Sequence, residues 1–173
     1  CCLGVVMARE YPRGFKKGPR NNTASIEIVQ VTLDEIAAAP DSIDWTLQNA
    51  TTPVRDQGKC GSCWAFSTIE TIESGLFMST GKLPPLLSTE QLVSCDTLFD
   101  DGCKGGDPYN AYQYLTGFVD GGVASAADYP DKSSKTGRTG FCTWNKKTMV
   151  TVTGFKYGIP NCEASDCKKQ NED

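Results

Sequence analysis

Histidine is absent from the 173-residue chain. A zinc site here would therefore have to be built from cysteines, and no imidazole is at hand to pair with a thiol. Long apolar runs are missing as well. No stretch approaches the ~20 residues that span a bilayer, so no membrane segment is expected. Charge of one sign is not in large excess, with 17 Lys and Arg against 21 Asp and Glu. The scattered cations give no support to a nucleic-acid or anionic-membrane partner. No repeat or low-complexity block interrupts the chain, and 39% apolar content suits one globular domain with or without extensions.

Cysteine, by contrast, is plentiful. Nine in 173 residues is high for a reducing compartment. The sequons Asn21-Asn22-Thr23 and Asn49-Ala50-Thr51 agree with a secretory route and make Asn21 and Asn49 candidate glycosylation sites. An odd count leaves at least one thiol unpaired. The opening CCLGVVMA is apolar but short, and reads as the tail of a signal peptide, a buried strand or part of a prosegment. A start at Cys1 rather than Met leads to the expectation of a chain clipped at this end.

Residues 1 to about 38 contain turn formers and charges, with a short alternating run SIEIVQV and one or two helical turns in TLDEIAAA before Pro40. A long helix is expected from Ser62 to Gly81, with Ala65, Ile69, Ile72 and Leu76 as its apolar stripe. A second should open at Ser88, with Gln91 as capping-box partner. A third should open at Asp107 with Pro108 in its first position, burying Ala111, Tyr112, Leu115 and Phe118. After Gly122 the chain reads as irregular until residues 149–159, MVTVTGFKYGI, which alternate like a strand. Helices come first and strands late, which makes an α+β protein.

Residues 57–67, QGKCGSCWAFS, carry the chemistry. Cys60 and Cys63 admit three readings: a redox pair, half a zinc site, or a structural cysteine beside a reactive one. A redox C-x-x-C follows a strand in a βαβ unit, and none is visible. Zinc needs two more ligands at suitable spacing, and neither Cys95/Cys103 nor Cys162/Cys167 forms a second C-x-x-C. The third reading fits the surroundings. Cys63 falls in the first turn of the long helix, where unpaired N–H groups and the helix dipole favour a thiolate. Gln57, across a glycine-bearing turn, and the Cys63 N–H are placed to face an oxyanion.

The segment TPVRDQGKCGSCWAFS resembles the active-site segment of papain-like cysteine proteases, the family that includes the cathepsins. DSIDW, LSTEQLVSCD, GCKGGDP, Tyr129-Pro130 and FCTW continue the likeness over about residues 40 to 173. The resemblance implies an α+β papain-like fold: a helical left domain with the nucleophile over 39–150, the beginning of a β-rich right domain over 151–173, and the end of an inhibitory prosegment over 1–38. The junction is expected near Ala39-Pro40. It implies Cys63 as nucleophile and Gln57 in the oxyanion hole. Gly105 and Gly106 match the loop that pairs with bound peptide, and Asp107 and Pro108 flank the pocket for the second residue before the scissile bond. Trp64 matches a packing residue beside the nucleophile. Asp107 departs from the family's usual apolar residue, and serves as a helix N-cap or a specificity group.

The same resemblance implies disulfides Cys60–Cys103 and Cys95–Cys142. Cys162–Cys167 is a further expected pairing, while Cys1 and Cys2 have no assigned partner. It implies a peptide or protein substrate, cystatin-like inhibitors, no cofactor or metal, and a lysosomal, vacuolar or extracellular setting. The histidine and asparagine of such a site belong to the C-terminal half, which is expected to be missing here. Alone, this chain should cleave little. A non-catalytic binding or assembly module that kept the left domain is the alternative.

Overall fold

The computed structural model describes residues 14–16 and 28–158. Among the described residues there are five helices, α1 Leu33–Ala38, α2 Cys63–Thr80, α3 Thr89–Cys95, α4 Pro108–Phe118 and α5 Ser133–Thr136, with α3 and α4 packed on α2. A 3₁₀ turn over Gly102–Lys104 precedes α4. One antiparallel pair, β1 Gly122–Val123 with β2 Val150–Thr151, completes the regular structure, in the register Gly122↔Thr151 and Val123↔Val150.

Local signals set the helix limits. Ser62 precedes α2, and Gly81 closes it in the left-handed region at φ 72°. In α1, Thr32 and Glu35 cap each other reciprocally. Asp107 caps α4 by accepting from the Tyr109 N–H, with Pro108 as the first helical residue. Ser88 caps α3 by accepting from the Gln91 N–H. The Gln91 side chain, however, does not reach back to complete a capping box. Its Oε1 accepts from the Ala124 N–H at 2.7 Å and its Nε2 donates to the Gly122 carbonyl at 2.8 Å. Those backbone groups lie at the start of the two-residue β1 and just after it, and leaving one unpaired costs ~1–3 kcal/mol.

The core lies where α2, α3 and α4 meet, built from Trp64, Ala65, Ile69, Leu92, Ala111, Leu115 and Val123. Complete burial of each Leu or Ile contributes ~1.5–3 kcal/mol, more than any helix-propensity difference at these positions. Ile72 and Leu76 are half-buried, since the stripe runs out from beneath its neighbours. Phe118, expected inside, is 59% exposed and sits edge-on to Phe99, and Tyr112, also expected inside, is half-buried, while Tyr109 and Tyr114 are the buried aromatics of α4.

The alternating run at residues 149–159 forms a ladder only at Val150–Thr151. Beyond it, aromatic packing replaces sheet pairing: Phe155 stacks on Tyr112 of α4 with centroids 5.0 Å apart, and Tyr157 stacks on Tyr109. An isolated bridge joins Ile28 to Tyr157. The start of the SIEIVQV run, Asn21, and Cys1, Cys2, Cys162 and Cys167 lie outside the described residues.

Candidate active site

Two disulfides, Cys60–Cys103 and Cys95–Cys142, tie the loops to the helices, and Cys63 is the free cysteine among the described residues. The first pins the turn that leads into α2. Around it the Gly61 N–H donates to the Cys103 carbonyl at 2.9 Å, and the Gln57 Nε2 donates to the Cys60 carbonyl at 2.9 Å. Cys63 follows as the first residue of α2 and is half-buried.

The entry to α2 lacks the usual side-chain cap. Ser62 makes no capping hydrogen bond, and its hydroxyl turns to the Cys60 carbonyl. Among the described residues the Cys63 N–H has no acceptor. A helix N-terminus without a cap presents N–H groups and the positive end of the dipole to whatever lies beside it. What lies beside it is a cleft of about 770 Å³, lined on one wall by Val54, Asp56 and Gln57 and on the other by Cys63, Phe66 and Ser67. Gln57 and Cys63 thus share one cavity.

The wall that carries Gln57 is held by a buried ion pair that the sequence reading did not single out. Glu73, on α2, is fully buried. Its Oε2 accepts from Arg55 Nη2 at 2.8 Å and Thr52 Oγ1 at 2.6 Å, and its Oε1 accepts from the Leu87 N–H at 2.7 Å. Arg55 also donates to the Leu87 carbonyl and lies over the Phe66 ring. Glu73 sits four residues after Ile69 on the apolar stripe, and a charge interrupting that stripe is the one signal that could have pointed to it.

The Gly105–Gly106 loop lies across from this turn. A Cβ on Gly106 would come within 2.6 Å of both Asp100 Oδ1 and Trp64 Cδ2, so the backbone there approaches closer than any other residue allows. Trp64, 1% exposed, supports the loop from below and donates its indole N–H to the Gly102 carbonyl at 3.1 Å. Asp107 is buried as the α4 cap, and Pro108 lines a separate groove with Tyr112 and Phe155.

Residues 14–16 lie along this loop through one parallel bridge, Phe15↔Gly106. The Gly106 N–H donates to the Gly14 carbonyl at 2.7 Å, and the Lys16 N–H donates to the Gly106 carbonyl at 2.8 Å. Gly14 packs against the Gly61 carbonyl so closely that a Cβ would collide with it. Lys16 pairs with Asp101 at 2.8 Å and holds that carboxyl below its usual range. Both partners are exposed, so the pair adds register more than stability. Among the described residues no cluster of His, Cys, Asp or Glu is placed to hold a metal ion, and no helix is long and apolar enough to cross a membrane.

Residues 39–171 match the papain family cysteine protease domain. The chain is 41% identical over 140 residues to a cathepsin L-like proteinase of Phaedon cochleariae, covering 79% of this chain and 40% of that protein. It is 38% identical over 166 residues to digestive cysteine proteinase 1 of Homarus americanus, covering 93% and 47%. Among solved structures it resembles the recombinant stem bromelain precursor, with TM-score 0.65 and 33% identity over 83% of this chain and 42% of that one. The proform of the ragweed pollen cysteine protease Amb a 11 gives TM-score 0.58 and 39% identity over 66% and 34%. The chain belongs to the papain family of cysteine proteases and has its fold, and it spans less than half the length of these relatives.

Proposed function

We propose that this chain is the nucleophile-bearing part of a cysteine endopeptidase. Cys63 attacks the peptide carbonyl carbon, the amine leaves with a proton from an imidazolium of the C-terminal half, and water hydrolyses the resulting thioester. The observation that carries the reading is the pairing, in one cleft, of a free thiol at an uncapped helix N-terminus with the Gln57 amide. The Cys63 N–H and the Gln57 amide hold the oxyanion. The chain by itself lacks an imidazole, so it has no acid for the leaving amine and is inactive alone.

Within this reading residues 1–38 are the end of a prosegment, 39–150 the left domain and 151–173 the start of the right domain. The pairing of residues 14–16 with Gly106 supports a prosegment that occupies the peptide-binding loop, with Gly105 and Gly106 offering the same backbone groups to substrate. The substrate is a peptide or protein, and cystatin-like inhibitors are partners. Asp107 acts as helix cap and backbone anchor rather than as a specificity group.

The absence of histidine favours a second reading, a non-catalytic papain-like binding module. Gln57→Ala in the full-length protein separates the two. It is expected to lower kcat by roughly 10²–10³ with a small change in KM, because the amide serves the transition state more than the ground state. Steady-state kinetics on a fluorogenic peptide measure both constants. No hydrolysis by the parent enzyme would support the binding module.

The secretory route has its own test. Asn49 stands exposed in a turn at φ 57° and heads the Asn49-Ala50-Thr51 sequon, so it is the N-glycan acceptor of the left domain. Protein from a secreting eukaryotic cell should lose mass on treatment with an amidase that removes N-glycans. Asn49→Gln should remove the glycan at this site, seen as an unmodified peptide on mapping.

A further inference from the structure

Beneath the Gly105–Gly106 loop lie two carboxyl groups that the proposed chemistry does not use. Asp96 follows α3 and is fully buried, and Asp100 is 6% exposed. Asp96 Oδ1 accepts from the Phe99 N–H at 3.4 Å. Asp100 Oδ1 accepts from the Asp107 N–H at 2.9 Å and from Asn110 Nδ2 at 3.2 Å. Each residue keeps one buried oxygen, its Oδ2, with no donor to satisfy it. Two such orphans in a folded core are costly, at ~1–3 kcal/mol for a neutral group and more for a charged one. The two side chains are within hydrogen-bonding reach of each other.

The charges around them make two carboxylates untenable. Asp107 adds a third negative group beside Asp100, and the Tyr114 phenol of α4, pushed up to about 12 chiefly by burial and then by Asp96, faces Asp96. Lys16 and Lys104 act on the exposed Asp101 instead. A single proton shared by the two carboxyl groups gives one of them a donor and the other an acceptor.

We propose that Asp96 and Asp100 share one proton and, as an acid pair, position the Gly105–Gly106 loop in a pH-dependent way. Asp100 Oδ1 holds the Asp107 N–H immediately after the loop and lies against Gly106. Loss of the proton puts two repelling carboxylates under that backbone. The effect on bound peptide rests on the endopeptidase reading, but the shared proton does not.

The direction with pH follows from which state binds the proton. Burial first, then the Asp100 charge, pushes the Asp96 carboxyl up to about 8, and burial raises Asp100 as well. An unfolded aspartate loses its proton near ~3.9. Between those values the folded state binds more protons, so the pair's contribution to stability is complete below about pH 4. It is lost as pH rises through about 8.

Full-length protein labelled with ¹³C-aspartate should show the Asp96 ¹³Cγ resonance titrating with a midpoint near 8. Asp96→Asn keeps the acceptor for Phe99 and gives Asp100 Oδ2 a permanent donor. Its Tm should fall by less than half as much as that of the parent between about pH 5 and pH 8.5. In the parent, KM for a peptide should rise across that range, and in Asp96→Asn it should stay flat. A ¹³Cγ midpoint near ~4, or an equal fall of Tm in both proteins, overturns the acid pair. If Asp96→Asn does not fold, the ¹³Cγ titration of the parent decides alone. A shared proton with an unresponsive KM overturns the loop's part in it. Total inactivity of the parent points instead to failure of the endopeptidase reading.

Discussion

Cys63→Ser in the full-length protein is expected to lower kcat by on the order of 10⁴ or more while leaving the fold intact. A hydroxyl stays protonated where a thiol ionises, so the variant loses its nucleophile and its ion-pair partner in one change. Removal of one member of a unit that acts together costs about as much as removal of several. Serine fits where cysteine stood at a half-buried helix start, and Tm should shift little. Cys60→Ser is the informative control. It breaks the bond to Cys103, which closes a loop with sequence separation 43, and should cost roughly 4 kcal/mol on the chain-entropy account. Whatever Cys60→Ser protein folds should still react at Cys63. Kinetics and thermal melts on both variants measure the contrast.

Glu73→Ala is expected to lower stability by ~3–5 kcal/mol. Its carboxylate receives Arg55, Thr52 and the Leu87 N–H at once, and alanine leaves Arg55 Nη2, the Thr52 hydroxyl and a buried amide without that acceptor, though Arg55 keeps the Leu87 carbonyl. For a chain of this size the loss corresponds to a fall in Tm on the order of 10 °C. The segment released is the one that carries Gln57 to the cleft, so kcat should fall in the folded fraction as well. Glu73→Gln keeps an acceptor and should lie between parent and alanine. Calorimetry with active-site titration separates lost protein from lost chemistry. An alanine variant as stable as the parent would show that the network contributes no net stability.

Helix starts were legible because their signals are local. Ser88, and Asp107 with Pro108, each act through their own backbone within three residues, which makes them readable without knowledge of the fold. Gly81 needs only its own left-handed φ. The buried acids were not legible. Glu73 is held inside by partners 14 to 21 residues away and Asp100 by its close approach to Gly106, Asp96 is buried at the end of α3, and charged side chains are exposed by default. Gln91 was read as a local cap, but its amide went to backbone more than 30 residues on. The run at residues 149–159 alternated like a strand and packed its aromatics on α4 instead, since period two fixes which face a side chain takes and not whether a neighbouring strand exists.

The covalent intermediate tests the account most directly. Full-length enzyme mixed with a slow ester or peptide substrate, quenched in acid during turnover and digested, should yield one acylated peptide. The added mass should be that of the substrate's acyl group, on Cys63, labile to hydroxylamine as a thioester is, and absent from Cys63→Ser. Complete turnover with Cys63 unmodified, or the acyl group on another residue, would contradict the assignment of Cys63 as the nucleophile.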